Sequence, residues 1–169
     1  PRLGSQPEWP KLARLNFSCT PVGVNGYATF CGAIMAGHMP RLTSLYLRET
    51  RLGDIGARLV FQALNHMKLL KVLDLCGNTF GEEGVSPLKT AFGPHKVVAI
   101  KLTELRMGDL PFMHLEAWKV VARAILNGSF PELFSFDGRG YGADLGRKIH
   151  PSNCVKHAVR SLCSDRLAM

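Results

Sequence analysis

The sequence predicts an α/β solenoid, with short parallel strands on one side and helices on the other. Three observations predict it. Leu42-x-x-Leu45-x-Leu47 returns as Leu70-x-x-Leu73-x-Leu75, 28 residues later. Each of these runs is short, and each leads through a turn into a segment whose apolar residues recur at helical spacing. The units also repeat at a near-constant period, which marks a stacked architecture whose units cannot bury their apolar faces alone. Parallel pairing follows, because every strand returns through a helical crossover.

Five copies align on the frame L-x-x-L-x-L. They are Leu12, Leu15, Phe17; Leu42, Leu45, Leu47; Leu70, Leu73, Leu75; Val97, Ile100, Leu102; and a degenerate fifth with Leu133, Phe136 and Gly138. Their spacings are 30, 28, 27 and 36, and the last requires an insertion. After copy one, Tyr27, Phe30, Ala33 and Ile34 share a helix face. After copy two, Leu59, Val60, Phe61, Ala63 and Leu64 do the same, with Asp54 as the expected N-cap. After copy three, Pro87 suits the first turn of a short helix through Phe92. After copy four, Asp109 precedes the longest helical pattern, Leu115 to Leu126, which Asn127-Gly128 ends.

The run Leu70-Lys71-Val72-Leu73-Asp74-Leu75-Cys76-Gly77-Asn78-Thr79-Phe80-Gly81-Glu82-Glu83-Gly84, supported by Leu47 to Gly56 in copy two, resembles leucine-rich repeat proteins. Among these it is most similar to the ribonuclease-inhibitor-like class. The resemblance spans about Trp9 to Asp144. It implies a horseshoe with the parallel sheet on the concave side and full helices on the convex side. It also implies that Asn78 bonds backbone groups in the turn after its strand. Thr20 and Thr50 stand at that position in copies one and two, and Leu105 in copy four departs from the pattern. The expected organisation is a solenoid of about five repeats over 1–144 and a basic capping or docking segment over 145–169.

Strand residues alternate between core and surface. The frame therefore places Asn16, Tyr46, Asp74, Lys101 and Asp137 in a middle row on the exposed sheet face, with Arg48 and Arg139 in the row beside it. Neighbouring strands lie about 4.8 Å apart, so Asp74, Lys101 and Asp137 are expected to form a charge ladder. Tyr46 and Arg48 are residue types enriched at binding hot spots. The candidate protein-binding residues are Tyr46, Arg48, Asp74, Lys101, Asp137 and Arg139. The apolar loop from Phe112 to Trp118 is a second candidate surface, but packing of Phe112, Met113 and Trp118 as core is the simpler expectation.

The chain of 169 residues fits one domain, and its 46% hydrophobic content supplies a sizeable core. Its first residue is Pro1, consistent with a fragment or a processed product, and no signal peptide is visible. Five scattered cysteines, an odd number, fit reduced thiols in an intracellular compartment. The net charge of +8 favours acidic partners. Half of it falls in the last 25 residues, where Arg147, Lys148, Lys156, Arg160 and Arg166 face Asp165 alone. Arg147, Lys148, Lys156 and Arg160 are the candidate contacts to RNA or an acidic partner. Val155, Val159, Leu162 and Cys163 give the same segment an apolar stripe suited to capping the array.

Catalytic signatures are weak. Gly138-Arg139-Gly140-Tyr141-Gly142 follows a strand but leads into no clear helix, so it argues poorly for a dinucleotide turn. His150, Cys154, His157 and Cys163 lack the paired spacing of a zinc site. No P-loop, HExxH or GxSxG is present. The sequence therefore points to a non-enzymatic interaction or scaffold module without cofactor or metal, binding a protein through the sheet face within a larger complex. The alternative is a structural subunit of a ribonucleoprotein.

Overall fold

An L-x-x-L-x-L run can bury its apolar residues on one side only if the residues between them face the other way. The computed structural model, which describes residues 9–90, 101–126, 128–133 and 135–137, has this arrangement. Strands β1 (Arg14–Asn16), β2 (Ser44–Tyr46), β3 (Val72–Asp74), β4 (Glu104–Arg106) and β5 (Ser135–Asp137) form one parallel sheet in chain order. The register sets Leu15, Leu45, Leu73, Leu105 and Phe136 in one row. That row enters the same core as the helices α1 (Gly23–Met35), α2 (Asp54–Ala63), α3 (Glu82–Val85), α4 (Pro87–Thr90) and α5 (Leu115–Leu126).

Copy four is not where the sequence frame put it. The strand partner of Val72-Leu73-Asp74 is Glu104-Leu105-Arg106, so the fourth frame is Leu102, Leu105 and Met107, all fully buried. The repeat spacings become 30, 28, 32 and 31. No insertion is needed, and Leu110 rather than Leu105 stands at the Asn78 position. Val97-Val98-Ala99-Ile100 imitates the frame because a β-branched apolar run satisfies it by composition alone. Those four residues lie outside the described residues.

The corrected frame aligns a turn that the sequence pattern did not reveal. Cys19, Glu49, Gly77 and Asp109 follow the last frame residue at the same distance, and all have left-handed φ values, between 54° and 67°. In this conformation the N–H groups of Cys19, Glu49 and Gly77 donate to Arg48 O, Cys76 O and Gly108 O at 2.8–2.9 Å, extending the ladder past the strands. Only Gly77 meets the conformation without steric cost. Its site is also crowded, since a Cβ there would lie 2.7 Å from Glu49 Cγ.

Asn78 is fully buried one residue beyond that turn. Its Oδ1 accepts from the N–H of Thr50 (3.1 Å) and of Leu52 (2.9 Å). Its Nδ2 donates to Leu47 O (2.7 Å) and Leu75 O (2.9 Å). One amide thus satisfies backbone groups of two repeats, which the resemblance implied for the turn after its own strand alone. Thr50 continues the chain of bonds. Its hydroxyl donates to Leu47 O at 2.8 Å and accepts from the Tyr27 hydroxyl of α1 at 2.6 Å.

The helices follow their apolar faces. Tyr27, Phe30, Cys31 and Ile34 bury one side of α1, and Ala117, Val120, Val121, Ala124 and Ile125 bury one side of α5. Both end in the same left-handed glycine cap. His38 N bonds Ala33 O and Gly37 N bonds Ile34 O; Ser129 N bonds Ala124 O and Gly128 N bonds Ile125 O. The expected stop at Gly128 is therefore present. Pro87 starts α4 after a break at Ser86, so two short turns replace a single helix, and residues past 90 lie outside the described residues.

One expected helix cap is corrected. Asp54 does not cap its own helix; Gly53 holds that position without a side-chain bond. The Asp54 carboxylate reaches instead into the next repeat, accepting from Gly81 N (2.7 Å) and Gly84 N (2.9 Å) at the start of α3. Asp109 belongs to the left-handed turn, and α5 covers the expected Leu115–Leu126. In the loop between them, Met113 is buried whereas Phe112 is 54% exposed, and within α5 Trp118 packs edge-on against Phe136. The expected boundary at 144 and the 145–169 segment lie outside the described residues.

Two stability outcomes follow from these contacts. Asn78→Ala orphans buried donors and acceptors in two turns, and urea unfolding is expected to show a loss of about 3 kcal/mol or more. Gly84→Ala is expected to cost about 1–3 kcal/mol although alanine is the better helix former, because overpacking outweighs propensity. Its Cβ would meet Phe80 Cβ at 2.9 Å and Ala57 Cβ at 3.0 Å, neither of which can swing away. An unchanged midpoint for either variant contradicts the packing described.

Candidate functional site

The face of the sheet turned away from the helices is built from the residues between the leucines. The register aligns Arg14, Ser44, Val72, Glu104 and Ser135 in one row and Asn16, Tyr46, Asp74, Arg106 and Asp137 in the next. Arg48 and Cys76 extend beyond them. Of the sequence candidates, Tyr46, Arg48, Asp74 and Asp137 therefore share this face. Lys101 does not: it is exposed ahead of β4, and Arg106 occupies its expected place. Arg139, Arg147, Lys148, Lys156 and Arg160 lie outside the described residues, as do Gly138 to Gly142 and the His150, Cys154, His157, Cys163 group.

Arg106 organises the middle of the face. Its Nε donates to Glu104 Oε1 at 2.7 Å and its Nη1 to Asp74 Oδ2 at 3.3 Å. Chiefly the hydrogen bond it donates to Glu104, with the charges of Glu104 and Asp74, holds the guanidinium pKa above its ordinary value. The expected Asp74–Lys–Asp137 ladder is thus an Asp74–Arg106–Asp137 row with Glu104 beside it. Asp74 is only 6% exposed, and its other oxygen accepts from Cys76 N at 3.1 Å. Asn16 does the same for Ser18 N at 2.9 Å, so both side chains secure the end of their strand. Asp74 therefore positions Arg106 rather than offering a free carboxylate.

Tyr46 is half-buried, second in the row between Asn16 and Asp74. Arg48 pairs with Glu49 at 2.9 Å, and both side chains are about half exposed. Such a pair is screened and adds little stability. The shifted frame, which puts Lys101 on the face, hides Arg106 and Glu104. The available signal was the acid–base alternation Glu104-x-Arg106 flanking a leucine.

Cys76 sits where this face meets the turns. Its sulfur accepts from Gly108 N at 3.2 Å, and burial, followed by the charge of Asp74, pushes the thiol up to about 12. Burial alone pushes Cys31 to about 12 as well. Neither thiol is poised as a nucleophile at neutral pH. Among the described residues no group of three or more His, Cys, Asp or Glu side chains is arranged to hold a metal ion. No helix among them is long and apolar enough to cross a membrane.

No family model matches the chain, and no curated protein matches it by sequence. Solved structures do match. Leiomodin-1 actin-binding site 2 superposes with a TM-score of 0.64 at 17% identity, covering 95% of this chain and 91% of that one. The tropomodulin C-terminal domain of Caenorhabditis elegans superposes at 0.62 and 15% identity, covering 96% and 93%. The chain shares their fold: a leucine-rich-repeat-like α/β array with a parallel sheet.

Burial of the two thiols has a measurable consequence. Alkylation of the native protein at neutral pH is expected to spare Cys31 and Cys76 and to modify exposed Cys19, read by peptide mass spectrometry. Both thiols hold their protons more tightly in the folded state than in the unfolded chain. Their contribution to stability is complete below pH 9.0 and is lost as pH rises toward about 12. Cys31→Ala should flatten that alkaline decline. Prompt alkylation of Cys76 at neutral pH contradicts the description of its site.

Proposed function

We propose that this chain is a non-catalytic protein-interaction module that takes its partner on the open face of the sheet. The observation that carries this reading is the row Asn16, Tyr46, Asp74, Arg106 and Asp137: polar, in register and, among the described residues, uncovered by helix. Tyr46 supplies a rigid amphipathic anchor. Arg106, held in place by two carboxylates, offers its remaining donors at low entropic cost. Arg48 and Asp137 flank them. Positive and negative side chains alternate here, so the face suits a partner of mixed charge better than a phosphate track.

The partner class is drawn from the fold likeness. One similar structure is an actin-binding site, which makes actin the first partner to test. Purified chain is expected to co-sediment with actin filaments. Tyr46→Ala and Arg106→Ala are each expected to weaken that association roughly tenfold. Binding indifferent to both substitutions places the interface elsewhere, and absence of co-sedimentation removes actin as the partner. The basic segment with Arg147, Lys148, Lys156 and Arg160 supports the ribonucleoprotein reading instead if association with extract components is lost after nuclease and falls steeply with salt.

A further inference from the structure

The connections from helix back to strand repeat one tight turn. Leu12 N bonds Trp9 O, Leu42 N bonds Met39 O, Leu70 N bonds Met67 O and Leu133 N bonds Phe130 O, all at 3.1–3.2 Å. Met39, Met67 and Phe130 are buried and anchor their turns, so two residues project at each tip. The tips are Pro10-Lys11, Pro40-Arg41, Lys68-Leu69 and Pro131-Glu132, all exposed. Lys71 is exposed just past the third tip, and exposed Lys101 precedes Leu102 as Lys11 precedes Leu12. Lys71 N donates to Thr43 O and Lys71 O accepts from Thr103 N, both at 2.8 Å. The third tip therefore lies between the second and the fourth.

One rim of the array thus presents Lys11, Arg41, Lys68, Lys71 and Lys101, and the described residues of its connections include no acid before Glu132 in the fifth repeat. None of these cations is in an ion pair among the described residues, whereas Arg48, Lys89, Arg106 and Lys119 elsewhere all are. Nor do they complement helix ends, since α1 and α2 have no basic residue in their last turns. The stretches outside the described residues add no net negative charge. Residues 1–8 hold Arg2 and Glu8, residues 91–100 hold Lys96 and no acid, and residues 138–169 hold six cations against Asp144 and Asp165. The positive rim is therefore a property of the chain however those stretches lie.

We propose that this rim seats the array on an anionic lipid surface, with Leu69 entering the apolar boundary and the cations on the headgroups. The residue types favour a bilayer over other anions. Leu69 is 39% exposed and stands between Arg41 and Lys101 along the stack, with Lys68 and Lys71 on its own segment. An apolar tip flanked by cations suits a membrane interface, where the tip gains burial and the cations gain phosphate. A nucleic-acid track gains nothing from a leucine at its centre; it needs planar groups against the bases. Four of the five cations are lysines. Protein interfaces deplete lysine, whereas lysine stems lie along an apolar boundary with their ammonium groups in the headgroup layer.

Flotation of the purified chain with lipid vesicles tests this. Binding is expected to phosphatidylcholine vesicles containing about 30% phosphatidylserine, and not to phosphatidylcholine alone. It is expected to fall steeply as salt rises from about 0.1 to 1 M. A basic side chain at such a surface is worth about fivefold in affinity, so Lys68→Glu combined with Lys71→Glu should weaken binding at least about twentyfold. Leu69→Ser should weaken it about fivefold at every salt concentration. Arg58→Glu combined with Arg123→Glu makes the same change in net charge from exposed positions on α2 and α5, and should leave binding nearly unchanged. All these positions are exposed, so circular dichroism spectra should not change. If the Lys68, Lys71 variant fails to fold, Arg41→Glu combined with Lys101→Glu replaces it. The vesicles hold no protein, so the result is independent of any partner on the sheet face. Absence of binding to the anionic vesicles overturns the proposal, as does an equal loss from the α2 and α5 pair. Loss only on Arg147→Glu combined with Lys148→Glu overturns it by moving the contact to the C-terminal segment. Retention of single-stranded RNA instead of vesicles, released by the Lys68, Lys71 variant, overturns it in favour of a phosphate track.

Discussion

The buried amide of Asn78 is the interaction on which the rest of the array depends. Every repeat must turn sharply from strand to helix, and each turn leaves backbone donors and acceptors with no ladder partner. Buried in the middle of a stack, those groups would cost more than the leucines recover. Asn78 answers for two turns at once, binding Thr50 and Leu52 on one side and Leu75 on the other. Thr50 passes the connection to Tyr27. A polar spine thus runs from α1 through copy two into copy three, and the leucine rows pack to near-complete burial around it.

Asp54 works at the other end of the turn by the same logic. A carboxylate at the start of α2 satisfies N–H groups at the start of α3, where negative charge is also favoured by the helix dipole. The repeats are therefore joined by apolar contact in the core and by side chains that reach across each boundary. Because these links lie between the sheet and the helices, they leave the opposite face of the sheet free of structural duty. The exceptions there are Asn16 and Asp74, which secure strand ends and hold Arg106 in place.

Much of this was legible. The leucine frame of copies two and three gives their strands directly, and Gly128 marks the end of α5. Copy four misled because two frames five residues apart compete, and apolar composition alone does not separate them. What separates them is the turn. In the true frame Asp109 aligns with Gly77, Glu49 and Cys19, a left-handed position that three non-glycine residues occupy without announcing it in sequence. Tyr46, Arg48, Asp74 and Asp137 were placed on the face correctly. Lys101 was misplaced by the slipped frame, which hid Arg106 and Glu104. Asp54 was recognised as a cap but assigned to its own helix, because a contact between repeats leaves no mark in local spacing.

The central claim is that a protein partner seats on the open face of the sheet rather than on the helices. Photo-crosslinking in source extract tests it most directly, with a reactive phenylalanine analogue placed at Tyr46 and, as a control, at Arg58 on the exposed side of α2. The account predicts a discrete protein adduct from position 46 that survives nuclease treatment, and none from position 58. An adduct from position 58 alone, or one from position 46 that disappears with nuclease, would contradict it.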